Sequence, residues 1–130
     1  MSRTSKRRIK KIGLPSETLV YTGERTGGVK ITLIDYDEQT FEERQLGSAQ
    51  ECAPYREKPT TTWVNVDGVH DPTALELLGG CFGLHRLVME DIASIVQRPK
   101  VEDYGDHLYI VLKMLTYDER EGKVMPEQVS

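Results

Sequence analysis

Two adjacent carboxylates, Glu90 and Asp91, lie in the apolar run Leu87-Val88-Met89-Glu90-Asp91-Ile92 and are the residues best suited to chemistry. Hard divalent cations such as Mg2+ prefer oxygen ligands, commonly one or two carboxylates with several waters retained. The spacing predicts a helix over 86–95 with Leu87, Val88, Ile92 and Ile95 facing inward, and Pro99 stops it. Successive residues on a helix are about 100° apart, so the two acids cannot share one face. One can point toward a partner subunit while the other binds at its edge. Without any ligand, two acids in the first half of a helix still stabilise its dipole. Both are expected at the surface.

Other combinations explain themselves without a ligand. Cys81 and His85 have the spacing of one helical turn, but Gly83 between them breaks the helix and no third group orients the histidine. His85 is expected to cap backbone N–H groups instead. In Asp67-Gly68-Val69-His70-Asp71 the first two are turn residues and Asp71 is an N-cap, so local structure accounts for a loop that superficially resembles a metal site. His70, His85 and His107 have no ligand spacing. The chain holds no Gly-rich phosphate loop, no Gly-x-Ser-x-Gly elbow and no His-Glu-x-x-His, and it is expected not to be an enzyme. Cys52 and Cys81 make neither a zinc set nor a disulfide framework; both are expected reduced, with Cys81 filling core.

A length of 130 residues allows one domain with a modest core, and 38% apolar with 29% charged residues is ordinary for a folded soluble chain. No apolar run approaches the roughly 20 residues of a membrane helix, and the basic N-terminus is not followed by the apolar stretch of a signal peptide. Six of the 17 basic residues (Arg3, Lys6, Arg7, Arg8, Lys10, Lys11) fall in residues 1–11, while all 21 acids lie beyond them. Residues 12–130 therefore carry a net −10, against −4 for the whole chain. Such a body repels nucleic acid and attracts cations. The tail, residues 1–12, reads as a solvated, disordered terminus. A contact of that tail with RNA or an anionic surface is the alternative, which would make the chain an acidic interaction module.

The elements that must place these residues follow from periodicity. Leu19-Val20-Tyr21 reads as a short strand and Val29 to Tyr36 as a half-buried one. Asp37 to Glu43 reads as a polar helical turn, with a further short strand at Arg44-Gln45-Leu46. Ser48 and Glu51 form a capping box for a brief helix ending before Pro54. Thr60 to Val66 reads as a strand, with Trp63 in a run expected to be buried. Asp71-Pro72 starts a helix with Leu75, Leu78 and Phe82 on one stripe and Gly83 beyond its end. Val101 to Tyr104 and Leu108 to Thr116 flank a hairpin turn at Gly105-Asp106. The second of these strands is apolar on both faces, so it is expected to be central and covered on both sides. Pro126 to Ser130 reads as the entry to another strand.

Several of these segments in order resemble one family. They are Leu14-Pro15, Val20-Tyr21-Thr22-Gly23, Trp63 to Gly68, Phe82 to Ile92, Gln97 to Glu102 and Ile110 to Met114. The chain from about Gly13 to Ser130 resembles the cytoplasmic N-terminal domain of the CorA magnesium/cobalt transporters. Arg86 stands where the family usually has Pro and Met89 where it usually has Leu, changes that touch helix entry and packing. The family's transmembrane helices and Gly-Met-Asn signature do not occur in this sequence. The resemblance implies an α/β fold, an α-β-α sandwich with a mixed, largely antiparallel sheet covered by helices on both sides, spanning residues 13–130 and truncated at its C-terminal end. It implies a soluble regulatory domain on the cytoplasmic side of an inner-membrane transporter of Mg2+ or Co2+, homopentameric when complete. The isolated segment is then expected to be a monomer or weak dimer that does not bind nucleic acid. Divalent ions held between subunits would keep the pore closed, with Glu90 and Asp91 as ligands and the backbone carbonyl of Leu14 near a second ion.

Overall fold

Alternation along residues 30–36 organises the first half of the chain. The computed structural model describes residues 27–130, so the expected strand at 19–21, the basic tail and Leu14 lie outside the described residues. Strand β1 (Lys30–Tyr36) buries Ile31 and Leu33 on one face. It pairs antiparallel with β2 (Phe41–Leu46) on one side and β3 (Thr61–Asp67) on the other, so that Leu33 lies opposite Arg44 and Val64. The order is β2-β1-β3.

The polar stretch expected to be a helical turn is instead a tight turn and a strand. Asp37 Oδ1 accepts from the Gln39 and Thr40 amides at 2.8 and 2.7 Å, closing the chain back on itself. Residues 41–46 then hydrogen-bond to β1, although Leu46 is the only one of them that is buried. Pairing with a neighbour stabilises that strand, not an apolar face.

A 3-10 segment, Ala49–Glu57, crosses the inner face of this sheet. Its capping box forms as expected, with Ser48 Oγ accepting from Gln50 N and Glu51 Oε1 from Ser48 N. It does not end before Pro54 but runs through it, since proline's fixed φ suits a helical backbone and costs only one N–H donor. Ala49, Cys52 and Tyr55 join Ile31, Leu33, Leu46 and Leu78 in the first core. At its edge Asp35, 6% exposed, accepts from the hydroxyls of Thr62 (2.7 Å) and Thr60 (2.8 Å) and pairs with Lys58. Lys58 in turn lies 3.9 Å over the Tyr55 ring.

Helix α1 (Pro72–Phe82) starts at Asp71, whose carboxylate accepts from Thr73 and Ala74 amides, and ends at Gly83 with φ 69°, in the left-handed region. Helix α2 (Arg86–Ala93) follows after three residues, its Leu87 amide capped by His85 Nδ1, which accepts from it at 3.2 Å. Glycine at 79 lets the helices touch: a Cβ there would sit 2.9 Å from Met89 Sδ. The inward face of α2 is Val88, Met89 and Ala93 with part of Ile92; Leu87 and Ile95, expected inside, are exposed. A stripe at 88, 89, 92 and 93 satisfies two partners at once, and 87 falls outside it.

Strands β4 (Lys100–Asp103), β5 (Leu108–Asp118) and β6 (Lys123–Val129) form a second antiparallel sheet in the order β4-β5-β6. The α/β class is as expected, but the described strands make two three-stranded antiparallel sheets where one mixed sheet was expected. Strand β5 is central, with Tyr109 and Val111 buried against Val88. Its other face, Leu108 (59% exposed), Ile110, Leu112 and Met114, has no described element packed over it, so the expectation of two covered faces fails there. Trp63 is likewise 62% exposed, near Tyr36 and Phe41 on the outer face of the first sheet. Pro126 fits in β6 because that strand is at the edge of its sheet among the described strands.

Hydrogen bonds from Thr62 and Thr60 and the ammonium of Lys58 hold the Asp35 carboxyl below its ordinary value. The folded state binds this proton more weakly than the unfolded chain does. The resulting stability is fully present above the unfolded value, about 3.9, and drains away as pH falls through the depressed folded one. Chemical denaturation at pH 3 and pH 6 should show a loss of stability in acid that shrinks in Asp35→Asn; an equal loss in both proteins would assign acid sensitivity elsewhere.

Candidate functional site

Helix α2 carries its acids in two directions. Glu90, 24% exposed, turns along the helix toward Arg86, at 4.0 Å. Asp91, 36% exposed, turns toward the second sheet. Neither is fully on the surface, because the same short helix buries its neighbours Val88, Met89 and Ala93. The acids do not converge, as their 100° offset requires.

Both oxygens of Asp91 are engaged. Lys100, the first residue of β4, donates from Nζ to Asp91 Oδ2 at 2.6 Å, and Gln97 Nε2 donates to Oδ1 at 3.1 Å. Lys100 Nζ also donates to Glu102 Oε1 at 3.0 Å, since residues two apart on a strand share a face. The ammonium lies 5.0 Å from the Tyr109 ring centre. The hydrogen bonds that Lys100 donates to Asp91 and then to Glu102 push its pKa well up, so it is a fixed positive charge. Burial, and then the charge of Asp91, raise that of the Tyr109 hydroxyl. Tyr104 donates to the other oxygen of Glu102 at 3.3 Å.

The turn between α2 and β4 is held by the sheet. Gln128 on β6 accepts from the Gln97 amide at 3.1 Å and donates to the Ser94 carbonyl at 3.0 Å. Lys113 on β5 donates to Gln128 Oε1 at 3.0 Å. A continuous polar chain thus runs from Glu102 through Lys100, Asp91, Gln97 and Gln128 to Lys113. Sequence reading singled out Asp91 but missed Lys100 and Gln97. The i, i+2 pairing of Lys100 with Glu102 on one strand face was the available signal.

The remaining candidates resolve into local structure. His70 meets the Gly27 carbonyl with a ring nitrogen and lies against Gly68, whose φ of 94° puts it in the left-handed region. Asp71 is the α1 cap. His85 Nδ1 is occupied by the Leu87 amide. Cys52 is buried, which raises its thiol pKa; Cys81 is only half-buried rather than core filler. Among the described residues no three His, Cys, Asp or Glu gather to hold a metal ion. The donor set at α2 suits, at most, part of a hard-cation site completed from elsewhere. No described helix is long and apolar enough to cross a membrane.

Comparison with known proteins agrees with the motif reading. The family described as CorA-like Mg2+ transporter protein matches residues 59–130. The "Cobalt/magnesium transport protein CorA" of Thermotoga maritima is 41% identical over 125 residues, 96% of this chain. The chain spans about a third of that protein, 36% of its length.

Replacing Gln128 with Leu should strand the Ser94 carbonyl and the Gln97 amide. The expected loss is about 1–3 kcal/mol, the usual cost of half-buried polar groups left unpaired. Denaturant midpoints measure it, and faster hydrogen exchange at Gln97 N–H localises it; unchanged exchange there would mean the turn is held by other contacts.

Proposed function

The chain belongs to the CorA-like Mg2+ transporter family, and we propose that it is a regulatory domain of a magnesium/cobalt transporter. In this reading it sits on the cytoplasmic side of the membrane, in a homopentamer whose pore closes when divalent cations bridge neighbouring subunits. Asp91, with Glu90 beside it, supplies carboxylates to such a bridge, and the Leu14 carbonyl lies near a second ion. The observation that carries the reading is Asp91 itself, a part-exposed carboxylate on the family-matched helix that already holds a cationic partner.

The physics is a change of sign. Two carboxylates brought to 4 Å across an interface repel by roughly 4 kcal/mol at an effective dielectric near 20. A divalent cation between them turns that repulsion into attraction. Because it favours the arrangement that brings the carboxylates together, rising Mg2+ shifts the population toward the closed state. Lys100 does not remove Asp91 from consideration, since a carboxylate has about four lone-pair sites and this one keeps access to solvent.

Nucleic-acid binding, the other reading, needs bases stacked on aromatics beside a cationic track. Tyr36, Phe41 and Trp63 are exposed on one sheet face, but their strand neighbours on that face include Glu43 and Asp67, with Lys30 at the far end beside Asp67. Among the described residues that face offers no phosphate-binding track, and the basic tail on which this reading rests lies outside the described residues.

In the full-length transporter carrying this domain, Asp91→Ala should lose Mg2+ protection against limited proteolysis. Full protection in that variant would leave Asp91 a purely structural role in its own domain.

A further inference from the structure

The ammonium of Lys100 occupies one oxygen of the carboxylate on which the proposed sensing depends, and it is bonded at the same time to a second acid. Its Nζ is 2.6 Å from Asp91 Oδ2 and 3.0 Å from Glu102 Oε1. The flexible four-carbon stem starts on β4, beside Glu102 and across from α2, so the charge can lean either way without backbone motion. Asp91 on α2 and Glu102 on β4 belong to different elements.

We propose that Lys100 is a tethered competitor for Asp91, which retreats onto Glu102 when a divalent cation takes Asp91 and so sets the cation concentration at which the site responds. This rests on the sensing reading of Asp91. With Lys100 in place, an approaching cation meets both a partly filled carboxylate and a like charge beside it. Glu102 makes the exchange feasible: the displaced ammonium keeps one carboxylate, so no charge is abandoned in a half-buried position. Lys100 is therefore a positioning residue, and Glu102 is its second berth. Gln97, bonded to the other oxygen of Asp91 and to Gln128, ties the exchange to the turn after α2 and to β6.

A competitor and a structural ion pair predict different signs. In the full-length transporter, Mg2+ is titrated while limited proteolysis is followed, for wild type, Asp91→Ala, Lys100→Met and Glu102→Gln. Lys100→Met should lower the Mg2+ midpoint by about two- to fivefold, the range for a part-exposed ion pair. Glu102→Gln should raise it, because displaced Lys100 then has no carboxylate to receive it. A role confined to folding would move both variants the same way. Midpoints that shift together, or not at all, while Asp91→Ala abolishes protection, overturn the competitor and leave the sensing reading standing. Full protection in Asp91→Ala overturns both. Should Lys100→Met lose its folded near-ultraviolet circular dichroism, Glu102→Gln decides alone, and an unchanged or lowered midpoint refutes the exchange.

Discussion

Helix α2 is eight residues long and has to pack on two surfaces at once. Met89 and Ala93 meet Leu75 of α1, while Val88 meets Tyr109 and Val111 of β5. These contacts join the two sheets into one structure, and they leave little of the helix circumference free. Asp91 has to emerge in the remaining sector, over the start of β4. The direction of that carboxylate is therefore a consequence of apolar packing, and it does not depend on any ligand. Glycine at 79 is part of the same constraint, since a Cβ there would crowd the Met89 side chain that packs on α1.

Placing a lysine against that carboxylate makes physical sense in so acidic a body. An unneutralised acid close to Glu102 would add like-charge repulsion at a seam between helix and sheet, and the ammonium removes it. The same arrangement leaves Asp91 half-accessible, the condition a cation-responsive group has to meet. Burying the pair fully would have made breaking it prohibitive, whereas leaving it in water would have made it nearly worthless. Its intermediate exposure lets one charge be exchanged for another.

The apolar face of β5 shows how far a local signal carries. The alternation of Tyr109 and Val111 with Leu108, Ile110 and Leu112 identifies a strand whose two faces are both apolar, and β5 is indeed central in its sheet. Periodicity says that a face is apolar; it does not say which element covers it. Among the described residues α2 covers one side, and the other side is exposed. Trp63 repeats the point on the first sheet, where a β-branched run suggested burial and the ring lies outward.

By itself the sequence determined the features that depend on neighbours within about one helical turn or one strand pleat. Asp71 and Gly83 bound α1, His85 starts α2, Ser48 and Glu51 box the 3-10 segment, and Gly105 turns β4 into β5, all as their residue types require. The family resemblance was legible in the same way, from short motifs in order. Tertiary structure alone decided the rest. Strand β2 was expected only at 44–46; it starts at Phe41 because β1 offers those residues hydrogen bonds, and five of its six residues are exposed. Asp35 is buried because Lys58, Thr60 and Thr62, more than twenty residues later, come back to meet it. Asp91 was visible as a candidate, but its partner Lys100 lies nine residues on, and Gln97 meets Gln128 across 31. No helical or strand period spans those separations; packing of a helix on a sheet does, and that packing converts an acidic pair in the sequence into one engaged carboxylate with a cation already in hand.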